Sequence, residues 1–295
     1  MLYIDGVFSG GGIKGFALIG AYEALEQKGI GFKRVAGTSA GAIISALIMA
    51  GYKSKEIAQI MGAVELSYFL DERKTLIPIP FAKWLFLYKR LGLYRGDALE
   101  HWLEAILSAR GVATFGDLPT GSLRLIASDL TTGTLIVLPD DLQKYGINPD
   151  SFSVARAVRM SCSLPYFFEP VKLRPPTGYS LIVDGGVLSN FPIWLFDNGT
   201  SRQERPVLGI KLSANTNKQP VNKIDNAITL FSSLFETMMT AHDLRYISRK
   251  HEKNIVFIPV EGGITTEFSL GEKQREALIQ QGKEKTEQFL KTWCF

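Results

Sequence analysis

The sequence predicts an α/β fold, a three-layer α/β/α arrangement around a mostly parallel central sheet. Three observations carry this expectation. Short apolar strand candidates recur at Leu2–Phe8, Lys33–Ala36, Leu123–Ser128, Leu135–Leu138, Leu181–Asp184, Val207–Leu212 and Val256–Val260. Helical patterns lie between most of them, with long ones near Ala227–Lys250 and Leu270–Trp293. Strands this apolar are buried on both faces, and intervening helices make the crossovers that parallel neighbours require. The third observation is that two early strand-to-helix joints are glycine-rich turns.

The first strand, Leu2–Phe8, runs directly into Ser9-Gly10-Gly11-Gly12-Ile13-Lys14-Gly15. A helical pattern follows, with Phe16, Ile19 and Leu25 among polar positions such as Glu23, Glu26 and Lys28, and Gly29 reads as its C-cap. Consecutive glycines ahead of a helix form a loop whose amides can converge on one anion. Gly10, Gly12 and Gly15 also satisfy the dinucleotide spacing G-x-G-x-x-G. That fingerprint needs an acidic residue about twenty positions on, at the end of the second strand. Here the second strand ends in Lys33-Arg34-Val35-Ala36, with no carboxylate. A loop that stabilises the oxyanion of an acyl-transfer intermediate fits better.

The second joint is Gly37-Thr38-Ser39-Ala40-Gly41, followed by the apolar helix Ala42–Ala50. So sharp a turn forces its central residue into a strained conformation, and the flanking glycines admit backbone that a Cβ would exclude. Ser39 then reads either as an exposed nucleophile or as a serine N-cap on a buried helix. Further along, Leu76–Arg95 mixes Trp84 and other large apolar residues with Lys83, Lys89 and Arg90. It reads equally as a lid or membrane-interface segment and as a helix packed on the core with snorkelling cations.

A nucleophile needs a base. His101, His242 and His251 all lie in helical stretches and read as surface or packing residues. Asp129 ends the strand Leu123–Ser128, but Leu130-Thr131-Thr132-Gly133-Thr134 after it reads as a hairpin turn, so a structural role is expected there. Asp184 ends the strand Leu181–Asp184 and is followed by Gly185 and Gly186. It is expected at the carboxyl edge of the sheet beside Ser39. The polar stretch Ser213–Asn222 reads as an exposed loop.

Together these motifs resemble those of the patatin-like phospholipases. The family combines a G-G-G-x-[K/R]-G loop, a G-x-S-x-G nucleophile and a D-G-[G/A] base motif, matched here at Gly10–Gly15, Gly37–Gly41 and Asp184–Gly186. Ser161-Cys162-Ser163-Leu164-Pro165 and Asn190-Phe191-Pro192 add to the likeness, which spans residues 1 to about 192 in the family's order. The resemblance implies a Ser39–Asp184 dyad without histidine, acting on an acyl lipid such as a phospholipid. The expected oxyanion donors are the amides of Gly11 and Gly12, with help from Gly10 and Ala40. Lys14, Gly37, Gly41, Gly185 and Gly186 support the site, Lys14 either by its charge or by holding its own loop. A hydrolase and an acyltransferase fit the dyad equally, and a non-catalytic module with a relic site is the remaining alternative.

Because the motifs must converge, one catalytic domain over residues 1–295 is expected. A hydrophobic content of 46% supports a sizeable core. The net charge of +4, without blocks of like charge, argues against nucleic acid. Two cysteines give no disulfide framework and suit a reducing compartment, with Cys162 read as a buried packing residue. No basic n-region precedes Asp5, so no signal peptide is expected. The expected location is cytoplasmic, with peripheral contact at a membrane, and neither metal nor cofactor is called for.

Overall fold

The computed structural model describes residues 1–73, 87–174, 178–197, 205–214, 224–225, 227–247, 252–260 and 270–294. Residues 74–86, which include Trp84 and most of the proposed interfacial segment, lie outside the described residues, as do residues 215–222 of the polar loop and His251.

The strands are β1 (Leu2–Phe8), β2 (Ile30–Thr38), β3 (Gly92–Tyr94), β4 (Leu123–Asp129), β5 (Thr134–Leu138), β6 (Tyr166–Phe168), β7 (Val171–Leu173), β8 (Ser180–Asp184), β9 (Val207–Ala214) and β10 (Ile255–Val260). The helices are α1 (Phe16–Gln27), α2 (Ala40–Met49), α3 (Ser54–Ala63), α4 (Asp97–Ser108), α5 (Val154–Ser161), α6 (Ala227–Tyr246) and α7 (Glu272–Leu290). The main sheet runs β10-β9-β1-β2-β4-β8-β7, with β5 also on β4. Neighbours from β10 to β4 are parallel, and the β4–β8, β8–β7 and β4–β5 pairs are antiparallel. The fold is therefore α/β with a mostly parallel central sheet. Gly29 stands at φ +69° just past α1, as its C-cap reading requires.

Alternation along the strands sorts residues onto two faces. Ile4, Phe8, Val35, Leu208, Ile210, Val256 and Ile258 belong to a large core that also takes the buried sides of α1, α2, α4 and α5. The intervening Val7, Ala36, Val207 and Ile255 pack on the other face against Phe191, Ile193 and Phe196. With both faces covered, these strands lack the polar side of an exposed sheet, which is why they read as unbroken apolar runs.

One arrangement positions the site. Along β4, Leu125 and Ile126 pair with β2 on one edge and with β5 on the other. Ala127 to Asp129 keep β5 on that second edge but pair with β8 on the first. Thus β2 and β8 meet end to end on the same edge of β4. Thr38 sits opposite Ile126 and Asp184 opposite Ala127. Ser39 and Asp184 consequently converge although β8 runs against the parallel strands. The end of β8 thus brings Asp184 to the sheet edge beside Ser39, where the sequence reading expected it.

Candidate active site

Ser39 has φ 54° and ψ −121°, which a non-glycine residue adopts only under constraint. Its amide donates to Ser161 Oγ at 3.0 Å, and Thr38 Oγ1 donates to the Ser189 carbonyl at 3.0 Å. A Cβ on Gly37 would collide with the Gly41 carbonyl, and one on Gly41 with the carbonyls of Phe8 and Ser9. Both glycines are therefore fixed by close backbone approach. Ser39 occupies the N-cap position of α2, yet its side chain makes no capping hydrogen bond. Its hydroxyl instead acts on the nearby Asp184 carboxylate, drawing that carboxyl's pKa down.

Asp184 is 3% exposed. Its amide donates to the Ser163 carbonyl at 2.8 Å, and its Oδ1 accepts the Gly186 amide at 2.7 Å. Burial pushes its carboxyl up to about 7, against the opposing pull of the Gly186 amide and the Ser39 hydroxyl. Asp129 has the reverse balance. Burial pushes it up, but the pull of Ser180, Tyr145 and the Thr131 amide outweighs that and holds it below the usual carboxylate range. Its Oδ2 accepts Tyr145 Oη at 2.9 Å and its Oδ1 the Thr131 amide at 2.8 Å, which ties down the hairpin turn. His101 is exposed on α4, and the side chain of His242 lies outside the described residues.

The glycine loop arches over Ser39. Gly12 takes φ +55° and opens a 3-10 turn through Gly15, and the Lys14 amide donates to the Gly11 carbonyl at 3.2 Å. Gly11, Gly12 and Ala40 line the cavity beside Ser39, and their amides donate to no protein acceptor among the described residues. Gly10 is a correction. Its amide donates to the Asn190 carbonyl at 3.1 Å, so it holds the loop and is not an oxyanion donor. Lys14 is half-buried and faces Glu236 of α6. Burial lowers its pKa, and the Glu236 charge partly opposes this. Gly185 packs against the Ile126 carbonyl, so a side chain there would force β8 away from β4.

The sequence reading missed how closely the turn after α5 holds this pair. Ser161, Cys162 and Ser163 all touch it. Burial pushes the Cys162 thiol well up, and the Asp184 charge adds to the effect, while Arg159 and Ser39 oppose it. Cys162 thus lines the site as well as packing. The signal was present in the Ser161-Cys162-Ser163 string, but nothing in the string says which strand it faces.

From Ser39 an apolar cavity of about 130 Å³ opens among Ile43, Ile44, Met61, Trp102, Phe168 and Phe235. Among the described residues Asp184 is the one carboxylate in its lining. Among the described residues no group of three or more His, Cys, Asp or Glu stands ready to hold a metal ion. The arrangement places a buried carboxylate beside a serine held in a strained backbone conformation, with unspent amides and an apolar cavity next to it.

The family model for patatin-like phospholipases matches residues 6–197. The chain is 57% identical over 294 residues to the uncharacterized protein YqhO of Bacillus subtilis, covering 100% of both chains. It is 28% identical over 286 residues to the uncharacterized protein R571 of Acanthamoeba polyphaga mimivirus, covering 93% of this chain and 89% of that one. Among solved structures, VipD from Legionella pneumophila superposes with a TM-score of 0.58 at 19% identity, covering 98% of this chain and 67% of the other. Motifs, fold and family match agree, and the chain belongs to the patatin-like phospholipase family.

Proposed function

We propose that this chain is a serine lipid acyl hydrolase of phospholipase A type, working through a Ser39–Asp184 dyad. The observation that supports it best is the Ser39 hydroxyl set beside the buried Asp184 carboxylate, whose pKa burial has raised to about 7. A carboxylate at its ordinary pKa is too weak a base for a serine, whereas one near neutrality is matched to the task.

In this reading Ser39 Oγ attacks the ester carbonyl while Asp184 takes its proton. The tetrahedral oxyanion is received by the amides of Gly11, Gly12 and Ala40. Collapse breaks the ester bond, and Asp184 returns the proton to the departing alkoxide, which leaves as the alcohol. Water then attacks the acyl-serine, gives a proton to Asp184, and Ser39 is reprotonated as the fatty acid departs. The apolar cavity seats the acyl chain.

Peripheral contact with a lipid aggregate is part of the proposal. The inner side of α6 brings Phe235 and Met239 to the cavity. Its outer side carries Leu230, Leu234 and Met238, which are 47%, 61% and 37% exposed and spaced four apart. Among the described residues no helix is long and apolar enough to cross a membrane. The test is hydrolysis of a phospholipid panel by the purified protein, with fatty acid and lysolipid quantified. Release of neither, by a folded protein, would refute the proposal.

A further inference from the structure

Arg159, on the last turn of α5, is 2% exposed, yet no carboxylate hydrogen-bonds to it among the described residues. A buried cation without an ion-pair partner costs stability unless hydrogen bonds replace its water. Among the described residues its three side-chain hydrogen bonds each go to a different segment. Nη1 donates to the Ser163 hydroxyl, and Nη2 to the carbonyls of Arg95 at 2.5 Å and Glu169 at 2.9 Å. The guanidinium also lies over the Phe168 ring, 5.2 Å from its centroid, and fills the space that a side chain on Gly96 would need. The carboxylates of Glu100, Asp71 and Asp97 act on it only at longer range.

Ser163 is where this reaches the chemistry. It is fully buried, its hydroxyl donates to the Arg159 carbonyl at 2.8 Å, and its own carbonyl accepts the Asp184 amide at 2.8 Å. Two residues earlier, Ser161 Oγ accepts the Ser39 amide at 3.0 Å. One short turn therefore holds the backbone of both reacting residues, and Arg159 pins that turn to the β3–β6 ribbon carrying Phe168, a wall of the cavity.

We propose that Arg159 is a positioning residue, which through Ser163 sets Asp184 against Ser39 and locks the Phe168 wall to the same point. This rests on the dyad reading above. Arginine suits the task because its planar fork can reach three acceptors in fixed directions, and a lysine ammonium cannot. A displacement of about 1 Å between reacting groups can cost on the order of a hundredfold in rate.

The experiment measures kcat, KM and the pH profile on a short soluble ester for Arg159→Lys, Ser163→Ala and Asp184→Asn, with thermal melts alongside. Arg159→Lys keeps the charge and removes only the fork. Ser163→Ala removes a single oxygen, and it carries the test if Arg159→Lys does not fold. Both should lower kcat roughly ten- to a hundredfold with KM little changed, since a short ester barely touches the Phe168 wall. The ascending limb of the profile should also move to lower pH. An Asp184 loosened from its seat regains water, and among the described residues the side chains acting on it are Ser39 and Cys162. Variants that melt earlier but keep the wild-type kcat and pH limb would overturn the proposal, because a merely structural Arg159 predicts that result. Wild-type turnover by Asp184→Asn would overturn the dyad reading and this proposal together.

Discussion

At the scale of single residues, Asp184 and Asp129 show how environment assigns a role. Both are carboxylates buried at strand ends, separated on β4 by the register that puts Asp184 opposite Ala127. Asp129 has enough donors to stay ionised, and Asp184 does not. The consequence for stability has a definite sign. Unfolded, Asp184 loses its proton in the usual carboxylate range near 4. Folded, it keeps that proton up to about 7. Between those values the native state binds more protons, so the contribution of Asp184 to stability falls as pH rises through this window and stays low above it. Asp184→Asn should therefore be nearly inactive yet more resistant to thermal unfolding than wild type at pH 8. Asp129→Asn should do the opposite, weakening the hairpin while sparing the chemistry. Melting curves at two pH values with an esterase assay check both, and an Asp184→Asn protein that melts earlier at pH 8 would contradict the account.

At the scale of elements, the glycine loop and the end-to-end meeting of β2 and β8 make the site. A Cβ on Gly11 would press into the Leu212 side chain. Gly11→Ala should therefore shift the loop and lower turnover by roughly a hundred- to a thousandfold, as loss of an oxyanion donor does. Unchanged kcat in a folded variant would show that this amide does not receive the oxyanion. Much of this element-scale picture was legible in the sequence, because local chemistry encodes it. Gly37 and Gly41 announce a turn too tight for side chains, and Gly185 announces close backbone beside Asp184. The antiparallel course of β8 was not legible, since Leu181–Asp184 is equally apolar in either direction. The loss of the Gly10 amide to the Asn190 carbonyl was hidden for a similar reason: it is a contact across 180 positions, made by backbone that carries no sequence signature. The ribbon of β3 and β6 has strands of three residues, too short to show any period.

At the scale of the whole molecule, one surface continues the site outward. Helix α6 is apolar on two sides, with Phe231, Phe235 and Met239 turned inward and Leu230, Leu234 and Met238 turned outward. Phe231 packs edge-on against Tyr166, itself 55% exposed at the rim. An apolar surface of this kind beside the apolar cavity favours contact with lipid over water. Leu234→Glu should spare hydrolysis of a short soluble ester and weaken both vesicle binding and hydrolysis of vesicle phospholipid. A vesicle sedimentation assay with the two substrates compared side by side checks this, and equal loss on both substrates would argue against an interfacial role.

The central claim is that Ser39 is a nucleophile whose only base is Asp184. It is tested most directly by the rate of covalent labelling with a fluorophosphonate as a function of pH, the modified residue being identified by mass spectrometry. The account predicts label on Ser39 alone and a rate rising with a midpoint near about 7, where the Asp184 carboxyl titrates. Asp184→Asn should flatten that rise and slow labelling by orders of magnitude, and Ser39→Ala should abolish it, as loss of a nucleophile costs about a millionfold. Label on another residue, or an Asp184→Asn protein labelled as fast as wild type with the same pH dependence, would contradict the claim.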